Sequence, residues 1–405
     1  MIRPSLTSRL PAAFIPALLI LVMTVLGLAG CAAPQATAVT EELAFDQAVN
    51  QATDGLSAQV LKLPAFLTAV ESTIGRRGVV VDPMLDASTG QQTALTRQLE
   101  KRVSDRLATK EVFEPLAFKS ANLGKAQYLL TGSTTTIDGR RNILKINLAL
   151  TELKSGKVVA QSSAVARGEG LDASPTAYYR DSPVLLIDKI TEGYLRTCTT
   201  APGQPADAAY FERIATATVI TEATALYNAE RYQEALAQYK SAASTPAGEQ
   251  LRVLNGIYLT NWKLGNMVEA ERAFSKVVAL GIANNTLGVK FLFNPGSTQF
   301  WSDPRISGPY AMWVRQIAKE ASAAKVCMNI VGHTSRTGSE QANEQLSLQR
   351  ATAIRQKLEA ESGELGSRIK AAGKGFRENI VGSGTDDARD VLDRRVEFKI
   401  VGCQG

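Results

Sequence analysis

Histidine is almost missing from this sequence: His333 is the only one in 405 residues. One imidazole cannot build a multi-histidine zinc site. No cysteine or acid stands at ligand spacing from it, so neither a metal nor another cofactor is expected. No serine or cysteine is tied to His333 by a motif, which leaves nucleophile–histidine catalysis without support. Between residues 41 and 197 there is no acid pair, nucleophile pattern or glycine-rich phosphate loop. An excess of one charge is lacking too. The 45 basic residues face 39 acidic ones, a net +6, and the two signs interleave along the chain. That pattern reads as a solvated mixed-charge surface and argues against nucleic acid as a partner. An enzyme is not expected.

What is present is enough apolar residue, 45% of the chain, to fill sizeable cores, and enough length for two to four domains. The start, "MIRPSLTSRLP", carries two arginines and no acid. The apolar run "AFIPALLILVMTVLGLAG" follows, interrupted by Pro16. A short core with these flanks reads as a secretory signal rather than a mature membrane span, the alternative being an uncleaved anchor. Leu28-Ala29-Gly30-Cys31 resembles the bacterial lipobox. The resemblance implies that residues 1–30 are removed and that Cys31 is acylated on its sulfur and its new amino group. Alanine, not aspartate, at position 32 places the expected anchor in the outer membrane, on the periplasmic face. Residues 31–40 then form a lipidated flexible tether.

Three cysteines remain for an oxidising compartment: Cys198, Cys327 and Cys403. Cys327 sits in the expected strand "KVCMNIVGH", and Cys403 follows the expected strand "RRVEFKIVG". If those strands are neighbours, a bridge between the two is geometrically possible. Cys198 is left over, as a buried thiol or as an intermolecular partner.

The expected fold class is α+β with several domains. Residues 41–197 read as an α/β domain. "GVVVDPM" is a strand ended by Pro83, and Leu95, Leu99, Val103 and Leu107 have helical spacing. Leu144, Ile146, Leu148 and Leu150 alternate with Lys145, Asn147, Ala149 and Thr151 in a β-meander, with turns at Asp138-Gly139 and Ser155-Gly156. The order of "VVVDP", "YLLTGS" and the meander resembles the periplasmic lipoprotein domain of curli-secretion, flagellar outer-membrane and penicillin-binding-protein-activator lipoproteins. That resemblance implies a small partner-binding domain. Residues 208–283 read as helical hairpins. Ala235 and Ala270 stand 35 positions apart, each followed four residues on by an aromatic, Tyr239 or Phe274, and Gly265 marks the second turn. This is similar to two tetratricopeptide repeats, the alternative being an ordinary helical linker. Two repeats are few for a free-standing array, so packing against a neighbour is expected.

Residues 287–405 read as a strand-helix-strand-helix-strand (βαβαβ) sandwich. "VKFLFNPGSTQF" is taken as a strand leading into a turn. The segment "VGHTSRTGSEQANEQLSLQRA" is taken as a turn followed by a long helix to about Glu361. Ser339 can cap that helix. At roughly 100° per residue, Asn343 and Arg350 share a face. Ser347, Ala351, Ile354 and Leu358 make the adjoining core face. An arginine at the core's edge suits a carboxylate, the alternative being an internal pair with an aspartate.

Gly332-His333-Thr334, Gly338, Asn343, Leu346-Ser347, Arg350-Ala351 and Arg394-Arg395-Val396-Glu397 resemble the OmpA-like peptidoglycan-binding domain. The resemblance implies that Thr334, Ser335, Gly338, Asn343, Leu346, Arg350 and Arg394 bind a diaminopimelate-containing stem peptide. Ser335 stands where the family carries an aspartate, and Asp393 where it carries an asparagine. A hydroxyl supplies no charge against the ligand's ammonium, so Asp386 or Asp387 is a candidate to supply it. His333 is expected to order the loop. The first functional expectation is a non-catalytic outer-membrane lipoprotein that tethers the membrane to the cell wall. The second is a scaffold for an envelope machine, such as a synthase activator or a secretion or appendage assembly, with protein partners on the first two domains.

Overall fold

The computed structural model describes residues 41–62, 76–137, 140–381, 384 and 390–403. The expected signal segment, Cys31 and the tether, the Asp138-Gly139 turn, and Asp386 and Asp387 lie outside the described residues. The fold is α+β with several layers.

The first part is built around a seven-stranded sheet. Its strands are β1 (Glu42–Leu43), β2 (Arg77–Val81), β3 (Leu85–Asp86), β4 (Phe113–Ala117), β5 (Tyr128–Ile137), β6 (Arg140–Glu152) and β7 (Val158–Arg167). The main order is β1-β7-β6-β5-β2-β4, with β3 beside β5. The β5-β6-β7 meander is antiparallel, while β2 runs parallel to both β4 and β5. Helices α1 (Phe45–Leu61) and α2 (Ala94–Ala108) cover one face. Thr93 caps α2 by accepting from the Thr96 amide, and Leu95, Leu99, Val103 and Leu107 all turn inward.

The meander departs from simple alternation. Leu144, Ile146, Leu148 and Leu150 are buried, but so are Asn147, Ala149 and Thr151. The reason is that the sheet's second face is covered as well. Val79 and Val81 join the core beneath α1 and α2, whereas Val80 and Leu129 join a second core with Tyr194, Cys198, Tyr210 and Ile214. Helix α3 (Lys189–Thr197) and the segment after it form that cover. Cys198 is therefore a buried thiol, which burial pushes up to about 12.

Four helices follow: α4 (Ile214–Asn228), α5 (Tyr232–Ala243), α6 (Leu251–Lys263) and α7 (Met267–Ala283). Ala235, Tyr239, Ala270 and Phe274 are all fully buried. A β-carbon on Gly256 would meet the Tyr239 ring at 2.4 Å, so the glycine lets α5 and α6 close together. These helices do not end in a free face. Phe274 stacks on Trp313 with ring centroids 5.7 Å apart, and Trp313 donates its indole N–H to the Tyr258 hydroxyl at 2.8 Å. One apolar core runs from the helices into the C-terminal part.

The last part holds β8 (Gly288–Val289), α8 (Tyr310–Ala323), β9 (Cys327–Gly332), α9 (Glu340–Glu361), β10 (Ile369–Gly373) and β11 (Val396–Val401). The sheet order is β10-β9-β11-β8. Two expectations are corrected. The strand expected to open at Val289 and lead into a turn is only two residues long, Gly288–Val289. Beyond it Phe291, Phe293 and Phe300 turn into an aromatic cluster with Tyr310 and Trp313 instead of a ladder. And β10, absent from the expected βαβαβ order, pairs parallel with β9. Cys327 and Cys403 form a disulfide, their Cα atoms 5.2 Å apart, because Val401 of β11 sits opposite Cys327 of β9. No helix among the described residues is long and apolar enough to cross a membrane.

Candidate functional site

The residues singled out by motif gather where β9 runs into α9. Gly332 closes β9 against the helix. A β-carbon there would lie 2.1 Å from the Ser347 carbonyl oxygen, so no larger residue fits without moving α9. The loop that follows is fixed by its backbone. The His333 amide donates to the Arg395 carbonyl at 3.0 Å, and the Thr334 amide to the Gly375 carbonyl at 2.9 Å. Thr334 and Ser335 are both buried in it. Gly338 takes a φ of +94°, which a glycine adopts without strain.

Helix α9 then begins at its cap, where the Ser339 hydroxyl accepts from the Ala342 amide at 3.3 Å. Asn343 reaches back one turn and donates to the Thr337 and Ser339 carbonyls at 2.8 and 3.0 Å, tying loop to helix. Leu346 is half-buried beside it. Ser347, Ala351, Ile354 and Leu358 are buried in the core.

Arg350 is 5% exposed. Its Nε donates to the Ser297 carbonyl at 3.2 Å and its Nη2 to the Asn294 carbonyl at 3.3 Å. The guanidinium also lies 5.0 Å from the centre of the Phe293 ring. The arginine thus braces the 293–297 turn against α9. The sequence reading placed a turn in this segment but not against Arg350; Asn294-Pro295-Gly296 forms it, with Gly296 at φ +60°.

The residues before β11 divide between roles. Asp393 is fully buried and accepts from the Ile380 and Val381 amides at 2.6 and 3.1 Å. Arg395 is buried and paired with Glu397 at 2.6 Å. Arg394 is half-buried.

His333 has a surrounding that spacing did not reveal. Its Nε2 lies 3.5 Å from a Glu397 oxygen, long for a hydrogen bond, and neither ring nitrogen has a closer polar partner among the described residues. Glu378 completes a cluster whose ligand-type atoms lie within 4.8 Å of one another. Neither acid stands at ligand spacing in the sequence; the fold brings both in from distant positions. The charges argue for an ion-pair network rather than a cation site. Glu378 is held by Lys374 at 3.0 Å, and Glu397 by Arg395 at 2.6 Å and Lys399 at 3.3 Å. Burial pushes the Glu397 carboxyl up, but His333 and Arg395 beside it pull it well below the usual carboxylate range.

Residues 292–391 match the OmpA family. Similar solved structures include the peptidoglycan-associated lipoprotein of Burkholderia pseudomallei, 23% identical over 27% of this chain and 88% of that one, with a TM-score of 0.23. The cell wall anchor of the T6SS of Pseudomonas aeruginosa is 22% identical over 29% and 80%, TM-score 0.23. An outer membrane protein of Borrelia burgdorferi B31 is 26% identical over 29% and 88%, TM-score 0.23. No match is found among curated proteins. The C-terminal part of this chain, with the loop and α9 inside the matched segment, is an OmpA-like domain.

Proposed function

We propose that this chain is a non-catalytic outer-membrane lipoprotein that binds peptidoglycan and tethers the outer membrane to the wall. The observation that carries the reading is the OmpA family match over 292–391, which includes the loop, Asn343 and Arg350. The binding groove is the one between the 332–338 loop and α9. Arg350 faces the ligand's carboxylate and Ser335 its ammonium. Asp386 or Asp387 adds the charge that Ser335 lacks. Thr334, Gly338, Asn343, Leu346 and Arg394 complete the set of residues that bind the ligand. The ligand is a diaminopimelate-containing stem peptide, and lipidated Cys31 holds the other end of the chain.

The test is co-sedimentation of the mature chain with purified sacculi. Arg350→Ala removes a charge-assisted bond and should weaken binding about ten- to a hundredfold. Because Arg350 also holds the Asn294 and Ser297 carbonyls, circular dichroism must show the variant folded. Ser335→Asp should bind equally or more tightly. Equal binding by wild type and folded Arg350→Ala removes the groove as the site.

One observation favours a second reading, the scaffold. The shared core from Phe274 to Trp313 fixes the OmpA-like part to the helices before it, as a device for positioning partners would require. If wild type fails to bind sacculi and Ser335→Asp succeeds, the scaffold reading replaces the tether. On that reading the tetratricopeptide-like helices and the first domain hold the protein partners.

A further inference from the structure

A cavity of about 350 Å³ lies where the first sheet meets the helices, in a part of the chain on which the reading above does not depend. Its walls carry Asp82 from the end of β2, Arg97 and Glu100 from α2, and Arg252 from α6. A neighbouring hollow of about 540 Å³ shares Glu100 and Ala225 with it. The size is that of small-ligand sites, and the lining has their mixture of apolar wall and a few convergent polar groups.

Asp82 is 6% exposed and accepts a hydrogen bond from the Tyr210 hydroxyl. Glu100 accepts from the Met84 amide and from Gln92, both at a long 3.4 Å. Burial drives each carboxyl up to about 7. Arg252 is close enough to draw Asp82 partly back down and Glu100 close enough to push it up, while Arg97 draws Glu100 down. The Nε of Arg252 is shielded from solvent and has no hydrogen-bond partner, while its Nη2 reaches Gln250 only at 3.4 Å. Buried charges are costly unless paired. Two acids whose charge burial opposes, and two guanidinium groups, Arg97 and Arg252, line one cavity and suit a guest with both signs of charge.

We propose that this cavity binds a small zwitterion of the amino-acid class, its ammonium held by Asp82 and Glu100 and its carboxylate by Arg252. The tyrosine rings of the wall cover the ligand's carbon skeleton. Burial raises both carboxyls, and an ammonium beside them favours their ionised forms, so binding releases protons.

The experiment is titration calorimetry on the mature chain at pH 7, in two buffers of different ionisation enthalpy. The probes are L-alanine, L-lysine and alanyl-alanine, with acetate and ethylammonium as half-ligands. At least one zwitterion should bind with proton release, and the half-ligands at least tenfold more weakly. Arg252→Met and Glu100→Gln should each weaken binding about tenfold or more. Ala225→Trp, which fills the shared wall without removing a charge, should abolish it. The idea is overturned if no zwitterion gives heat, if acetate or ethylammonium binds as well, or if binding survives Ala225→Trp. Should Arg252→Met fail to fold, Ala225→Trp decides alone.

Discussion

Replacing Phe274 by alanine tests whether the helices and the OmpA-like domain are one folding unit. The ring is fully buried, with centroids 5.7 Å from Trp313 and 5.3 Å from Tyr258. Removing a buried phenylalanine loses its transfer energy and leaves a cavity, together about 3–5 kcal/mol. Roughly 0.5–1.5 kcal/mol of that belongs to each aromatic pair, recoverable as coupling in a Phe274/Trp313 double-mutant cycle. Phe274→Leu keeps most of the volume and should cost less than about 1.5 kcal/mol. Against a total of about 5–15 kcal/mol for a typical protein, the alanine change is severe. Urea unfolding followed by circular dichroism and by tryptophan fluorescence should show one coincident transition in wild type, moved bodily downward in Phe274→Ala. Two separated wild-type transitions would falsify the shared core, as would a Phe274→Ala cost under about 1 kcal/mol.

Three further outcomes are expected. Cys403→Ser opens a loop with a sequence separation of 76 and should lower stability by about 4–5 kcal/mol on the chain-entropy account, read as a drop in melting temperature that reductant reproduces in wild type. Lys290 is buried, donates to the Tyr179 and Arg180 carbonyls, and is pushed down to about 8 by burial. In the unfolded chain it titrates near 10.4, so between pH 8 and pH 10.5, where the unfolded chain holds the extra proton, wild type should gain about 2.5 kcal/mol of stability relative to Lys290→Met. A difference between the two proteins that does not change across this window contradicts the assignment. Gly332→Ala should push α9 off the strand at a cost above about 2 kcal/mol and loosen the 332–338 loop, visible as faster amide exchange at Thr334.

Much of the C-terminal part was legible because its signals are local. Ser339, Asn343 and the Ser347-Ala351-Ile354-Leu358 stripe announce α9 within a few turns, and two cysteines on apolar strands announce the bridge. What was not legible depends on distant residues. The β10 stretch "IKAAG" has only one large apolar side chain and becomes a strand because β9 offers it an edge. The 289–300 segment has strand-like composition, but its aromatics gain more by meeting Tyr310 and Trp313. Asn147 and Thr151 look solvent-facing until a second cover is known. At the site, the sequence places Arg350 on the right face but says nothing of the carbonyls it holds. The Glu378 and Glu397 neighbours of His333 come from other strands and turns, beyond the reach of any spacing rule.

The position of β11 in its sheet sets an order of events. It lies between β9 and β8, and its Val396 pairs with Val289 across more than a hundred residues. While the chain is being made, β9 and α9 exist long before their central partner does. Their apolar faces must wait, uncovered, until residues 396–401 emerge. A chain released early would lose the middle of the sheet rather than an edge, and with it the strand that fixes the His333 backbone. Completion is therefore a late, long-range and intrinsically slow step. During that interval the segment is a natural client for factors that hold unfolded chains.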